Sequence, residues 1–103
     1  MAWIDVLCRT TLAQERMIEV EAGGAALLLF DLGGAVYATA AVCPHHAAWL
    51  SQGRVDGEAV ECPRHMGRFH IPTGLKLGGP VCPDLRVYPT RIEGERVLVD
   101  VVP

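Results

Sequence analysis

The pattern of apolar and polar positions predicts that the chain consists mainly of short β-strands. Two strongly apolar runs, residues 25–32 (AALLLFDL) and 35–42 (AVYATAAV), are separated by Gly33 and Gly34. Glycine adopts positive φ without the steric cost that other residues incur, so two glycines between apolar runs predict a tight hairpin turn. The two runs are therefore expected to pair as antiparallel strands.

Both ends of the chain show a similar pattern. Residues 86–101 predict a second hairpin that turns near Gly94, because valine recurs at every second position from Val97 onward. Residues 3–7 (WIDVL) and 16–22 (RMIEVEA) predict two further strands. Together these runs predict an all-β fold of antiparallel strands.

Between the first two strands, residues 11–15 (TLAQE) indicate a single helical turn. Thr11 and Gln14 have the spacing of a capping box, in which two side chains satisfy N–H groups at the start of a helix. A chain of 103 residues buries only about 60–70% of its unfolded surface and cannot support two independent cores. Residues 1–103 are therefore expected to form one domain.

Composition narrows the possible functions. Half of the residues are apolar and a fifth are charged, with a net charge of −3, which is typical of a globular protein. The sequence has no basic patch, so nucleic acid is not an expected partner. The first residues lack the pattern of a signal peptide, and no apolar run is long enough to span a bilayer. We therefore expect a cytoplasmic protein with no membrane partner, in which cysteines are thiols or metal ligands.

Residues 43–82 differ from the rest of the chain. Six glycines and four prolines occupy these forty positions. At that density, hydrophobic burial alone does not compensate for the entropy lost when the segment becomes ordered. Metal coordination contributes folding free energy directly. The segment is therefore expected to be a metal-binding subdomain.

Four potential metal ligands lie in this segment: Cys43, His45, Cys62 and His65. A proline follows each cysteine and stiffens the loop, because its ring fixes φ at about −65°. A structural zinc ion could accept this set, although zinc fingers usually place a cysteine pair before a histidine pair. One cysteine and one histidine from each of two loops suit a two-iron cluster, in which one iron binds both cysteines and the other both histidines.

The sequence resembles Rieske-type [2Fe-2S] ferredoxins in several segments. The first pattern is CPH followed, after sixteen residues, by CPRH. The other matching segments are HMGRF, TG, GPVC and YPTRIEGERVLVDV. The similarity covers nearly the whole chain and is greatest to the ferredoxin components of bacterial aromatic-ring-hydroxylating dioxygenases of the biphenyl and naphthalene type. It implies one [2Fe-2S] cluster per chain, with Cys43 and Cys62 on the inner iron and His45 and His65 on the outer iron. It also implies an antiparallel β-sandwich into which the cluster-binding subdomain is inserted.

The resemblance implies an electron carrier and not an enzyme. Such a carrier takes single electrons from a flavin-containing NAD(P)H-dependent ferredoxin reductase and passes them to a terminal Rieske oxygenase. The residues agree with this role, because the sequence has no serine nucleophile with a histidine base and no phosphate-binding glycine loop. Three alternatives stay open: the ferredoxin of a di-iron aromatic monooxygenase, the small subunit of a nitrite reductase, and a Cys2His2 zinc-binding module.

Five residues near the ligands are expected to surround the exposed histidines and to contact partner proteins. They are His46, Trp49, Arg64, Met66 and Pro80. Pro80 matches a proline-containing loop that covers the cluster in the family that this sequence resembles.

Four further residues have expected structural roles. Cys8 and Cys82 lack ligand spacing and are expected to be buried thiols. Gly67 and Gly74 are expected to form tight turns whose backbone N–H groups point at cluster sulfurs.

The resemblance also implies a low reduction potential. High-potential Rieske proteins of respiratory chains place a serine and a tyrosine after the second histidine, where they donate hydrogen bonds to sulfur. Gly67 and Phe69 stand at the matching positions here. Hydrogen bonds to sulfur stabilise the added negative charge of the reduced cluster, so fewer donors leave the oxidised state favoured.

Overall fold

A computed structural model describes residues 3–44, 48–63, 67–78 and 83–101. Its elements in chain order are β1 Trp3–Cys8, α1 Arg9–Glu15, β2 Met17–Ala22, β3 Ala25–Leu32, β4 Ala35–Ala40, a 3-10 turn Leu50–Gln52, β5 Arg54–Asp56, β6 Ala59–Glu61, β7 Arg68–His70, β8 Lys76–Gly78, β9 Val87–Tyr88, β10 Thr90–Glu93 and β11 Arg96–Asp100. Within these residues no helix has the length and apolar character needed to cross a membrane.

The strands pair antiparallel in three sheets. The strand orders are β1-β11-β10, β2-β3-β4-β9 and β5-β6-β7-β8. Strands β4 and β9 are neighbours in the second sheet, although all of the third sheet lies between them in sequence. The third sheet is therefore an insertion between two paired strands, and the predicted all-β antiparallel fold is confirmed.

The two predicted hairpins are present. Leu32 pairs with Ala35 across Gly33 and Gly34, which have φ values of 65° and 98°. Two successive positive φ values are what a two-residue hairpin turn of type I′ requires, and glycine adopts them without strain. The second hairpin joins β10 to β11 and turns at Gly94, also with positive φ.

The helix is longer than the sequence predicts, and the predicted capping box is wrong. The helix begins at Arg9, so Thr11 and Gln14 both lie inside it. Its first N–H groups need partners from elsewhere in the chain. The Arg9 N–H donates to the Glu95 carbonyl at 2.7 Å, and the Thr10 hydroxyl donates to the Glu95 carboxylate at 2.9 Å. A contact across the fold therefore decides where this helix begins.

Strand β3 is buried on both faces and lies between two apolar cores. Leu27 and Leu29 face one core, and Leu28 and Phe30 face the other. The sandwich core consists of Leu12, Ala22, Leu27, Leu29, Val36, Ala38, Val97 and Val99. The insertion core consists of Leu28, Phe30, Ala41, Cys43, Ala48, Leu50, Val60, Cys62, Phe69, Ile71 and Leu85. Both candidate cysteine ligands are thus members of the insertion core.

Leu27→Ala and Leu28→Ala test whether the two cores are separate. Both side chains are fully buried, so each substitution should lower the free energy of unfolding by about 2–5 kcal/mol in a denaturant titration. Since Leu28 shares a core with Cys43 and Cys62, only Leu28→Ala should also speed loss of the predicted iron–sulfur cluster to a chelator. Equal rates of cluster loss in the two variants would contradict this assignment.

Candidate metal centre

Two loops of matching construction begin at the candidate cysteine ligands. The Cys43 N–H donates to the Ala48 carbonyl at 2.9 Å, and the Cys62 N–H donates to the Gly67 carbonyl at 2.7 Å. Each bond joins a cysteine to the residue five positions later and closes the loop at its base. We call these the first cysteine loop, residues 43–48, and the second cysteine loop, residues 62–67.

Both cysteine side chains are buried in the insertion core. Cys43 is 2% exposed and Cys62 is fully buried. Apolar side chains surround them, so water has little access to the two sulfur atoms. Thiolate sulfur is a soft ligand that selects iron–sulfur clusters, zinc and copper(I) over hard cations such as magnesium.

A short antiparallel contact forms the stem of the first cysteine loop. Strand β4 ends at Ala40, two residues earlier than the sequence predicts, and Val42 then pairs with Trp49 in an isolated bridge. The Leu50 N–H donates to the Ala41 carbonyl at 2.9 Å and extends this contact. The stem therefore places Val42 and Trp49 beside the loop, where 37% and 44% of their surface is exposed.

The second cysteine loop connects β6 to β7. Glu61, which precedes the loop, pairs in register with both Arg54 and Arg68 on the neighbouring strands. Its carboxylate accepts a hydrogen bond from Arg54 Nε at 3.3 Å, and Arg68 bonds to Asp56 at 3.3 Å. Exposed ion pairs of this kind contribute about 0–1 kcal/mol, so they align the three strands more than they stabilise them.

The chain after β7 is fixed against the insertion core through Gly74. This glycine has a φ of 78°, so the predicted tight turn is present. Its N–H donates to the His70 carbonyl at 2.6 Å, so the prediction that this group points at a cluster sulfur is wrong. Its carbonyl accepts a hydrogen bond from the Leu85 N–H at 2.8 Å, and Leu85 is buried in the insertion core.

His70, a histidine without ligand spacing, is occupied by other partners. Its Nδ1 lies 2.8 Å from the Thr73 hydroxyl and its Nε2 lies 3.0 Å from the Glu58 carboxylate. In the described ranges, no three histidine, cysteine or acidic side chains form an additional metal site. Cys43 and Cys62 are therefore the metal-ligand candidates that the described residues support.

Several predicted site residues lie outside the described residues. They are His45, His46, Arg64, His65, Met66, Pro80 and Cys82. The imidazole ligands and most of the docking residues therefore stay predictions.

Cys8 is described and is half-buried, so the expectation of a buried thiol is wrong for it. It lies at the start of α1, where the backbone N–H groups of Thr11 and then Thr10 lower the pKa of its thiol.

Comparison with known proteins identifies the family of this chain. Residues 2–89 match the Rieske [2Fe-2S] domain. This chain belongs to the Rieske family. It is 39% identical over 98 residues to the ferredoxin component of the naphthalene 1,2-dioxygenase system of Pseudomonas aeruginosa, covering 95% of this chain and 94% of the relative. It is 47% identical over 73 residues to the biphenyl dioxygenase ferredoxin subunit of Pseudomonas sp. strain KKS102, covering 70% and 67%.

Solved Rieske structures share the fold. The ferredoxin of carbazole 1,9a-dioxygenase from Nocardioides aromaticivorans IC177 matches with a TM-score of 0.89 and 28% identity, over 96% of this chain and 97% of that chain. A chain in the complex of reduced oxygenase and oxidized ferredoxin in carbazole 1,9a-dioxygenase matches with a TM-score of 0.87 and 32% identity, over 94% and 91%. A nitrite reductase small subunit, at 20% identity and a TM-score of 0.79, shows the fold alone.

The described part of the site fits the Rieske-type [2Fe-2S] cluster that is the cofactor of this family. Cys43 and Cys62 supply two thiols from the start of two closed loops, inside a core that excludes water. Cysteine thiolates hold iron–sulfur clusters, and a Rieske cluster needs two of them. The cofactor predicted from the sequence is therefore confirmed at the level of the family.

The packing of Phe69 predicts a reduction potential near the low end of the Rieske range. Its ring is 1% exposed in the same core as Cys43 and Cys62, and it has no hydroxyl to donate to sulfur. The midpoint potential measured by a redox titration should lie near about −150 mV. Phe69→Tyr should raise the potential, because a phenol hydroxyl near the sulfurs would stabilise the reduced cluster.

Phe30→Tyr is the matched control for this substitution. Phe30 is also fully buried in the insertion core, but it lies within β3, where its register partners are Met17 and Tyr37. The Phe30→Tyr substitution should leave the midpoint potential unchanged. A midpoint above about +100 mV in the unsubstituted protein, in the upper half of the Rieske range, would contradict the hydrogen-bond argument.

Proposed function

We propose that this chain is the ferredoxin component of a bacterial aromatic-ring-hydroxylating dioxygenase system, which acts in aromatic hydrocarbon catabolism. It accepts single electrons from a flavin-containing NAD(P)H-dependent ferredoxin reductase and passes them to a terminal Rieske oxygenase. The observation that carries the proposal is the match over nearly the whole of both chains to a protein named as such a ferredoxin component. The match to a chain in an oxygenase and ferredoxin complex supports the choice of electron acceptor.

The proposed ligands are Cys43 and Cys62 on the inner iron and His45 and His65 on the outer iron. The burial of both cysteines supports this division, because the inner iron requires ligands inside the protein. In each loop the histidine follows its cysteine by two or three positions, within the loop that the cysteine N–H closes. When bound, the cluster accepts and returns one electron. The ligands belong to a subdomain of about residues 43–82 inserted in a single domain, residues 1–103.

The proposed docking surface lies around the two cysteine loops. It comprises His46, Trp49, Arg64, Met66 and Pro80. The exposure of Trp49 supports it, because an aromatic side chain that is 44% exposed beside the site offers apolar contact area to a partner. Short-lived redox complexes bury small interfaces, so a few exposed residues near the cluster are sufficient to form one.

The proposed location is the cytoplasm, and the proposed partners are proteins and not nucleic acid or membrane. A net charge of −3 supports this choice, since nucleic acid and anionic lipid attract basic surfaces. Dioxygenase ferredoxins match at 28–47% identity, whereas the nitrite reductase subunit matches at 20%. A zinc-binding module has no support from the family match.

Cluster analysis of the purified protein tests the proposed ligands. The protein should contain about two irons and two inorganic sulfides per chain, and its reduced form should show an anisotropic electron paramagnetic resonance (EPR) signal. Cys43→Ser and His65→Ala should each abolish assembly, because each removes one of four ligands. Cys8→Ser is the control and should keep a full cluster. An iron-free protein that binds zinc and keeps its fold would rule out the proposal.

Stopped-flow electron transfer to a purified terminal oxygenase tests the docking surface. Trp49→Ala and Arg64→Glu should slow oxidation of the reduced protein at low ionic strength, because they remove apolar contact and reverse a charge at the interface. Their cluster spectra should not change. Ile92→Ala removes an apolar side chain that is 37% exposed on β10 and should have no effect. Unchanged rates in both docking variants would mean that partners bind elsewhere.

A further inference from the structure

Gly53 lies where the chain that follows the first cysteine loop meets the chain that precedes the second. A Cβ atom at this position would overlap the carbonyl oxygen of Glu61. The φ of Gly53 is −85°, a value that any residue adopts. Glycine is therefore required here because there is no room for a Cβ atom, and not because of the backbone conformation.

The overlapping atom belongs to the peptide group that closes the second cysteine loop. The Glu61 carbonyl and the Cys62 N–H are parts of one planar peptide unit, so neither can move without the other. That N–H donates to the Gly67 carbonyl at 2.7 Å. Because the obstacle is a main-chain atom, no change of side-chain rotamer relieves the overlap. A side chain at position 53 must therefore displace the base of the second loop or move away itself.

Movement of Gly53 away from Glu61 is resisted by the first cysteine loop. The Gly53 N–H donates to the Leu50 carbonyl at 2.9 Å, and the Leu50 N–H donates to the Ala41 carbonyl at 2.9 Å. Leu50 is fully buried in the insertion core, together with Cys43 and Cys62. A shift of Gly53 would therefore break its hydrogen bond to Leu50 or displace Leu50 within this core. The contact between Gly53 and Glu61 is thus connected to the first cysteine loop through Leu50 and to the second cysteine loop through Cys62.

We propose that Gly53 is a positioning residue for the iron–sulfur cluster. The close approach of its main chain to the Glu61–Cys62 peptide sets the separation of the two cysteine loops, and thereby the separation of the Cys43 and Cys62 sulfurs. This inference rests on the proposed function of these cysteines as ligands of one iron. Ligand constellations must be held within about 0.5 Å of their working geometry, so a displaced loop base impairs binding.

Gly53→Ala tests the proposal, with Gly78→Ala as its matched control. Gly78 lies in the same inserted sheet and needs no positive φ. Among the described residues other than its chain neighbours, no heavy atom lies within 4 Å of the added Cβ position. Each protein is reconstituted with iron and sulfide, and its iron and sulfide content is measured. The EPR g values of the reduced cluster and the far-ultraviolet circular dichroism of the sheets are recorded on the same samples.

The unsubstituted protein and Gly78→Ala should load equally and give the same g values. Gly53→Ala should lose most of the cluster, and the remaining cluster should have shifted g values. Its β-sheet circular dichroism should persist, because the atoms nearest the added Cβ belong to Glu61 and Leu50, which are not members of the sandwich core.

Two results would overturn the positioning role. One is a Gly53→Ala protein with the cluster content and g values of Gly78→Ala. The other is a Gly53→Ala chain that loses all β-sheet signal, since that would show a general structural role. Failure of the unsubstituted protein to load a cluster would overturn the proposed function itself. This result is distinguishable from a failure of the Gly53 proposal because it is observed without any substitution.

Discussion

The burial of β3 on both faces is the constraint on which the rest of the fold depends. Leu27 and Leu29 point to one side of this strand, and Leu28 and Phe30 point to the other. A strand that is apolar on both faces must be covered on both faces, because each exposed apolar surface has an unfavourable free energy in water. The sheet formed by β1, β11 and β10 covers one side, and the insertion covers the other. The insertion that carries the candidate metal ligands therefore packs against one face of β3.

Coordination and hydrophobic packing have complementary roles in the insertion. Its strands have three residues each, and such short strands have little stability without packing or coordination. Apolar packing of residues such as Leu50 and Phe69 brings the two cysteine loops together, and a bound cluster adds folding free energy. The hydrogen bonds from the Cys43 and Cys62 N–H groups close both loops with protein atoms alone. Such a closed frame suits an electron carrier, whose ligands should move little when the charge of the cluster changes.

Much of this protein follows from residues that are adjacent in sequence. Gly33 and Gly34 between two apolar runs determine a hairpin, because positive φ is a local property that glycine allows. The alternation around Val97 determines which face of β11 is buried, because side chains alternate along a strand. The spacing of cysteine and histidine likewise indicates the metal centre and its family, since ligands on short loops must lie close along the chain. These features could be predicted without any knowledge of the tertiary structure.

Other features depended on partners that are distant in sequence. The helix begins at Arg9 because Glu95 supplies partners for its first turn, and β4 ends at Ala40 because Val42 pairs with Trp49 beyond the first cysteine loop. The closeness of Gly53 to Glu61 also arises where two separate segments meet. Backbone N–H and carbonyl groups make most of these contacts, and nearly every residue carries both, so residue type alone does not show which segments meet. The sequence by itself determined most strands and turns outside residues 43–82 and the ligand pattern. The tertiary structure alone decided how the four short strands of the insertion pair, which backbone groups close the cysteine loops and how far apart the loops lie, because these depend on backbone contacts between segments that are distant in sequence.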